Sequence, residues 1–155
     1  MFDSKLKFDA NTDSVVKRGQ QRIYLMRKLN SFNVCERILR NFYLSFIESL
    51  ITFSFICWYN GLTLKDKNSL NGIVKVCSKI IGVRQRDLGS LWEKQVAQKA
   101  RKILVQPEHI LASEFSLMPS GRRYTVPPRK TNRYAKSFIP SAISLLNANT
   151  SHQLT

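Results

Sequence analysis

Side chains that bind metals or act as nucleophiles are scarce in this sequence. Its 155 residues include two histidines, His109 and His152, and three cysteines, none of which forms a C-x-x-C pair. Zinc fingers and knuckles need thiols and imidazoles clustered in pairs, so that four ligands reach one ion. The sequence therefore predicts no metal site and no cofactor, and it predicts three reduced core cysteines in a reducing compartment.

Recognisable catalytic motifs are also missing. The sequence has no adjacent Asp-Asp pair for two-metal phosphoryl transfer and no glycine-rich phosphate loop. It shows no Ser/His/Asp or Cys/His arrangement, and His109 is followed by Ile110 and Leu111 instead of the aspartate that an iron(II) dioxygenase needs. We therefore expect no catalytic residues, no small-molecule substrate and no enzymatic activity of this chain on its own.

Acidic residues are few. The sequence has 10 aspartates and glutamates and 25 lysines and arginines, which gives a formal charge of +15. Such a surplus indicates a polyanionic partner, either a nucleic acid or an anionic membrane surface. The surplus is absent from residues 35–59 and reaches +7 over residues 60–106. No secretory signal is visible near the N-terminus, so we expect an intracellular location, in the nucleus, the cytoplasm or both.

The longest apolar stretch runs from Asn41 to Leu64, with Glu48 as its only charge. About 20 apolar residues can span a membrane, but Glu48 would then lie inside the bilayer at a cost of several kcal/mol. A helix that is apolar on all sides is also typical of the centre of a helical bundle. We therefore expect a buried core helix over residues 34–59, with a membrane role as the less favoured alternative.

Capping signals and apolar periodicity predict four helices joined by short connections. They begin near residues 11–13, near residue 34, after the Thr63/Asp66 capping box, and near residues 87–90. The third helix is expected to end at Gly82 and the fourth before Pro107. The expected inward residues of the third helix are Leu70, Ile73, Val74, Cys77, Ile80 and Ile81. The fold class is therefore expected to be all-α, an antiparallel bundle of about four helices over residues 1–106. A basic, mostly irregular Pro/Arg/aromatic tail follows over residues 107–155, with a short helix near 141–146. The expected inward residues of the first helix are Val16, Ile23, Met26 and Leu29, with Gly19 beside them.

Basic side chains on the third and fourth helices and in the tail are candidates for contact with a nucleic acid. Lysine and arginine neutralise phosphates and release counterions, and interleaved aromatic rings can stack on bases. The alternatives are a solvated polar face for the helical cations and packing on the bundle for the tail aromatics. The candidate residues are Lys75, Lys79, Lys94, Arg101, Lys102, Arg122, Arg123, Tyr124, Arg129, Lys130, Arg133 and Tyr134.

A series of short strings runs through almost the whole chain, over residues 6–147. In order they are LKFD, GQQR, LMRKL, FYLSFIES, WY, LN, IVK, IIG, PSGRRY, RY and SFIP. The series resembles the region after the polymerase domain in non-LTR (LINE-type) retrotransposon reverse transcriptases, particularly copies abundant in fish genomes. The resemblance implies a helical thumb and post-thumb segment that grips template–primer, without the palm and the endonuclease that lie upstream in that family.

Residues 35–61 carry a second resemblance. The stretch begins CER, continues through FY and ends WYNG, and it resembles the N-terminal segment of alkylated DNA repair protein AlkB homologue 8. Full-length members of that family combine a 2-oxoglutarate- and iron-dependent oxygenase with a tRNA methyltransferase, so the resemblance implies a link to those activities. Neither the iron-binding His-x-Asp nor a glycine-rich methyl-donor loop is present in the sequence.

The leading hypothesis is a non-catalytic nucleic-acid-binding fragment of a retrotransposon reverse transcriptase, with RNA or DNA template–primer as its partner. The first alternative is a protein with an AlkB homologue 8 N-terminal-like domain, linked to oxygenase or tRNA methyltransferase activity. The second alternative is a helical protein of the membrane surface. The charge within the apolar stretch disfavours this alternative.

Overall fold

The computed structural model describes residues 9–128 and 131–151. Two compact units divide the chain, Met1–Leu88 and Gly89–Thr155. Every regular element of the described residues is helical, and the only strand-like feature in those ranges is an isolated antiparallel bridge between Leu117 and Tyr124. The all-α fold class is therefore confirmed. The antiparallel arrangement of four helices and the boundary at residue 106 stay predictions.

Helix α1 (Asp9–Ser31) packs against α5 (Leu64–Ile81) in the N-terminal unit. Its first turn begins slightly before the expected residues 11–13. Val15 is buried where Val16 was expected, while Gly19 is buried at the point of closest approach to Ile73. The buried face of α1 consists of Thr12, Val15, Gly19, Ile23 and Met26.

The prediction of one continuous helix over residues 34–59 is wrong. Phe53 is extended and Ser54 is left-handed with φ of 50°. The indole Nε1 of Trp58 donates to the Phe53 carbonyl at 2.8 Å, and this local hydrogen bond stabilises the break. The stretch consists of α2 (Glu36–Phe42), a π-helical segment (Tyr43–Glu48), α3 (Ser49–Thr52), α4 (Phe55–Trp58) and a 3₁₀ turn (Tyr59–Gly61).

This broken stretch is buried on one side only. Tyr43, Ile47, Ile51 and Phe55 have almost no exposed surface. The expectation of a helix buried all round is therefore wrong, because several large apolar side chains on the other side face solvent: Ile38, Leu44, Phe46 and Phe53.

Helix α5 matches its sequence signals closely. The Thr63 hydroxyl oxygen accepts a hydrogen bond from the Asp66 backbone N–H at 3.2 Å, which confirms the predicted cap. Gly82 ends the helix with φ of 83°, a conformation that a residue without Cβ adopts at little cost. The predicted inward residues Leu70, Ile73, Val74, Cys77 and Ile81 are all buried, and Ile80 is half-buried.

The C-terminal part of the chain contains more regular structure than predicted. Helix α6 (Leu88–Val105) ends just before Pro107, as expected, and buries Trp92, Val96, Ala100 and Ile103. A 3₁₀ turn (Ala112–Glu114) and α7 (Asn132–Ala135) follow. The short helix expected near 141–146 is longer, because α8 runs from Phe138 to Ser151. Pro140 is compatible with α8 because it lies in the first turn, where no intrahelical donor is lost.

The cysteines were expected in the core, and only one of them lies there. Cys35 and Cys57 are exposed, whereas Cys77 is buried. Burial raises the pKa of the Cys77 thiol to about 11, so its reactive thiolate is rare at neutral pH.

Candidate nucleic-acid interface

A cationic cleft of about 380 Å³ lies between α5 and the chain segment that follows it, residues 82–87. Lys75 and Lys79 line it from one face of α5, and Arg84 and Arg86 line it from the following segment. All four side chains are exposed to solvent. Asp87 is the single carboxylate among the residues that line this cleft, which we call the α5 cleft.

The wall of the α5 cleft opposite the helix is held by local hydrogen bonds. The Ser78 hydroxyl donates to the Val74 carbonyl at 2.8 Å and accepts from the Gln85 backbone N–H at 3.0 Å. The Gln85 side-chain amide donates to the Val83 carbonyl at 3.0 Å. After the left-handed turn at Gly82, these bonds fold the chain back along α5 and set Arg84 and Arg86 beside the two lysines.

The cations and carboxylates near the cleft influence two neighbouring titratable groups. Burial raises the pKa of Glu48, and the positive charge of Arg86 opposes that rise. Burial also raises the pKa of Tyr59; the Asp87 carboxylate adds to this effect, and a hydrogen bond from the Asn71 side chain opposes it. Asp87 and Asn71 therefore lie at the Tyr59 end of the cleft, while Arg86 lies toward Glu48.

The buried hydroxyl of Tyr43 also lies beside Glu48. It has no partner with good hydrogen-bond geometry, and the Glu48 carboxylate is its acidic neighbour. Burial is the main cause that raises the pKa of Tyr43, and Glu48 adds to the rise. The phenol is therefore neutral at physiological pH.

A tight turn in the C-terminal unit carries Arg122 and Arg123. The Met118 carbonyl accepts from the Gly121 N–H at 2.8 Å across this turn, and Gly121 has φ of 69°. The Met118 N–H donates to the Arg123 carbonyl at 2.8 Å, which closes a short antiparallel pair of segments. Pro119 fits the second position of such a turn because its φ is already fixed near the required value. Both arginine side chains are exposed.

Tyr124 is part of the packing of this unit. Its backbone N–H donates to the Asn147 Oδ1 at 2.8 Å, and its carbonyl accepts from the Asn147 Nδ2 at 3.0 Å. Its ring lies edge-on to the ring of buried Phe115, with centroids 6.2 Å apart. The partners of Tyr124 thus lie within residues 107–155 and not in the predicted bundle, and its contact with a nucleic acid stays a prediction.

The other predicted contacts differ in what surrounds them. Arg101 and Lys102 line a shallow depression near the end of α6. Lys99 lines it as well, and it is not among the residues predicted from the sequence. Lys94 is exposed on α6 outside the residues that line this depression. Arg133 and Tyr134 are on α7, where the Tyr134 N–H donates to the Thr131 hydroxyl at 3.1 Å, and the Tyr134 ring is 37% exposed. Arg129 and Lys130 lie outside the described residues.

Two further features of the described residues bear on the remaining alternatives. Within residues 9–128 and 131–151, no three His, Cys, Asp or Glu side chains lie together as a metal ion would need. The stretch Glu36–Gly61 is long and apolar enough to cross a membrane by length and composition, and 33% of its apolar 18-residue window is buried. Core helices of soluble proteins can be equally long and apolar, but they are mostly buried.

Residues 8–49 match the family model described as "Alkylated DNA repair protein alkB homolog 8, N-terminal". The match covers less than a third of the chain. It starts well before the resemblance noted at residues 35–61 and shares residues 35–49 with it. No curated protein and no solved structure matches the chain, so the resemblance to reverse transcriptases has no support from these comparisons.

The matched stretch covers the first two helical segments of the fold. It contains α1, α2 and the π-helical segment. The Arg22 guanidinium of α1 donates to the main-chain carbonyl of Phe46 inside the π-helical segment. Side-chain donors can enter where the regular helical hydrogen bonding is interrupted, so this bond joins the two halves of the matched stretch.

Proposed function

We propose that this protein is a non-catalytic nucleic-acid-binding module whose first helices, residues 8–49, are of the AlkB homologue 8 N-terminal type. The observation that carries the proposal is the α5 cleft, where four exposed cations and one carboxylate line a single concave surface. The name of the matched family refers to the repair of alkylated DNA. That name supports a nucleic acid over other polyanions as the partner of this chain.

The proposed mechanism is electrostatic holding of the phosphate backbone. Lys75 and Lys79 act as point charges that displace condensed counterions from phosphates. Arg122 and Arg123 add planar guanidinium groups, which can bind phosphate oxygens in pairs. In this proposal the module positions a strand, and the chemistry belongs to another protein or domain.

A second candidate is a thumb-like remnant of a retrotransposon reverse transcriptase. The feature that favours it is the string PSGRRY at residues 119–124, which belongs to the series shared with that family and coincides with the tight turn that carries Arg122 and Arg123. This candidate differs in its ligand, because a thumb grips a template–primer duplex and a general binding module accepts single strands as well.

The proposal is tested by fluorescence anisotropy with three labelled ligands: single-stranded RNA, single-stranded DNA and a primer–template duplex. The salt concentration is varied between 50 and 300 mM, a range in which the affinity of phosphate-dominated binding changes by orders of magnitude. We expect binding that weakens steeply with salt, and weaker binding by the variant K75Q/K79Q than by K17Q/R18Q, which removes the same charge from the exposed face of α1. Absence of binding at 50 mM salt would refute the proposal. A strong preference for the primer–template duplex would favour the second candidate.

A further inference from the structure

We propose that the α5 cleft is a binding site for a single phosphorylated nucleotide, with the phosphate held by Lys75, Lys79 and Arg84 and the uncharged part of the nucleotide held toward Asn68 and Asn71. This inference rests on the proposed function and deepens it, because it assigns a defined ligand unit to one part of the interface. A general electrostatic surface needs neither a cavity nor a fixed orientation.

The shape of the site supports a small ligand. The cleft volume of about 380 Å³ falls within the range of about 300–1,000 Å³ that is typical of small-molecule sites. Asn68 and Lys79 both line it. At a rise of about 1.5 Å per residue, these positions are separated by roughly 16 Å along α5, which leaves room for a phosphate and a ring system side by side.

The charges within the cleft favour an anion. Lys75 and Lys79 are one turn apart on α5, a spacing at which two like charges repel each other, and Arg84 adds a third positive charge to the same cleft. The positive charge of Arg86 is partly balanced by the Glu48 carboxylate, toward which Arg86 lies. A bound phosphate would relieve the repulsion among the first three side chains and gain hydrogen bonds from each of them.

The two ends of the cleft differ in charge. Asp87 and Asn71 both lie beside Tyr59, so the carboxylate is at that end of the cleft, where it repels a phosphate. Amide side chains such as Asn68 and Asn71 both donate and accept hydrogen bonds, which suits a base or a sugar. The two ends therefore place a nucleotide in one orientation, with its phosphate toward Lys79 and Arg84.

The binding surface is formed before a ligand arrives. The Gln85 backbone N–H donates to the Ser78 hydroxyl, and the Gln85 side-chain amide donates to the Val83 carbonyl. These two bonds hold the segment that carries Arg84. A site that is already ordered loses less conformational entropy on binding.

The test is isothermal titration calorimetry of the full chain with adenosine monophosphate, adenosine and inorganic phosphate. We expect the monophosphate to bind at least about tenfold more tightly than either adenosine or inorganic phosphate, because it engages both ends of the cleft. The variant K79A/R84A should lose about tenfold in affinity for the monophosphate, while K17A/R18A, with the same loss of charge, should change it less than about twofold. The changed side chains are exposed, and circular dichroism checks that each variant is folded.

A second variant tests the orientation. Asn68→Asp adds a carboxylate at the Tyr59 end, and it should weaken binding of the monophosphate while leaving binding of inorganic phosphate at the cationic end nearly unchanged. Equal binding of phosphate and monophosphate, or monophosphate binding that K79A/R84A leaves intact, would overturn the inference. If oligonucleotides bind and the monophosphate does not, the inference fails and the proposed function stands. If the monophosphate binds and oligonucleotides do not, the proposed function fails and the site remains.

Discussion

Gly19 shows how one missing side chain determines the distance between two helices. A Cβ at this position would lie 2.6 Å from the Ile73 Cδ1. Glycine in a helix costs about 1 kcal/mol relative to alanine, so its presence in α1 is explained by the close packing of α1 on α5. Gly72 has no atom within 4 Å of an added Cβ and therefore offers a comparison within the same helix pair.

We predict that Gly72→Ala raises the free energy of unfolding by about 0.5–1 kcal/mol, because alanine is the better helix former. Gly19→Ala should gain less than this or lose stability, since the Ile73 side chain must move. Gly19→Leu should destabilise by about 1–3 kcal/mol, as expected when a packed interface is overfilled. Urea denaturation measures all three.

The double variant G19A/I73V gives the control for this prediction. Ile73→Val removes the methyl group that the new Cβ meets, so the two changes together should cost less than the sum of their separate effects. Strict additivity would show that the contact between α1 and α5 at Gly19 does not limit the packing.

Glu48 is a half-buried carboxyl whose environment makes stability depend on pH. Burial raises its pKa above the ordinary value of 4.5, so the folded protein binds this proton more tightly than the unfolded chain does. Its contribution to stability is therefore fully present below about pH 4.5 and is lost as the pH rises through the raised pKa.

We predict that Glu48→Gln stabilises the protein relative to wild type at pH 7, and that the difference shrinks toward pH 4.5, because glutamine carries no charge to desolvate. Denaturation curves at several pH values between 4.5 and 7.5 measure the difference. Glu36→Gln is the matched control, since Glu36 is an exposed carboxylate in the first turn of α2. A difference that grows as the pH falls would contradict the assignment of burial as the main cause.

At the scale of elements, the sequence predicts best where the signals are local. The Thr63 cap, the apolar periodicity of α5 and the Gly82 stop all lie within one helix, and each depends only on nearby residues. The break at Ser54 is also stabilised locally, by the bond from the Trp58 indole to the Phe53 carbonyl, but no residue type at this position signals it. Serine is not a residue that normally marks a left-handed turn.

The candidate site follows the same rule. Lys75 and Lys79 could be placed on one exposed face from helical periodicity alone. Arg84 and Arg86 could not be assigned to the site in the same way, because they reach it only when residues 82–87 fold back along α5. This folding-back depends on the hydrogen bond between Ser78 and Gln85. The position of Tyr124, next to the turn that carries Arg122 and Arg123, likewise depends on Asn147, 23 residues away, whose amide bonds to both backbone groups of Tyr124.

The left-handed Ser54 leads to a prediction about the broken stretch. A non-glycine residue in this conformation costs about 1–2 kcal/mol, and glycine removes that cost while increasing the entropy of the unfolded chain. Ser54→Gly should therefore raise the free energy of unfolding by about 0.5–1 kcal/mol, and Ser54→Ala should not. Thermal and urea denaturation measure the effect.

Asn33 provides the control because its φ is 54°, close to that of Ser54. Asparagine tolerates this region better than serine does, so Asn33→Gly should stabilise less than Ser54→Gly. Equal gains at both positions would indicate that the break at Ser54 stores no particular strain.

At the scale of the whole molecule, the positive charge is divided between two compact units. Met1–Leu88 carries 15 lysines and arginines and 7 aspartates and glutamates, for a charge of +8, and Gly89–Thr155 carries 10 and 3, for a charge of +7. The N-terminal unit presents Lys75 and Lys79 in the α5 cleft, and the C-terminal unit presents Arg122 and Arg123 on a tight turn. Each unit thus has its own means of contacting phosphates.

This division predicts how the salt dependence of binding responds to charge removal. Each phosphate contact contributes about 0.7 to the slope of log K against log salt for single strands and about 0.9 for a duplex. K75Q/K79Q and R122Q/R123Q should therefore each reduce the slope by about 1.4–1.8, and the quadruple variant should reduce it by their sum. If only one of the two pairs changes the slope, only the unit that carries this pair contacts phosphates. If neither pair changes it, while removal of Lys17 and Arg18 does, the nucleic acid contacts α1 instead and the interface proposed here is wrong.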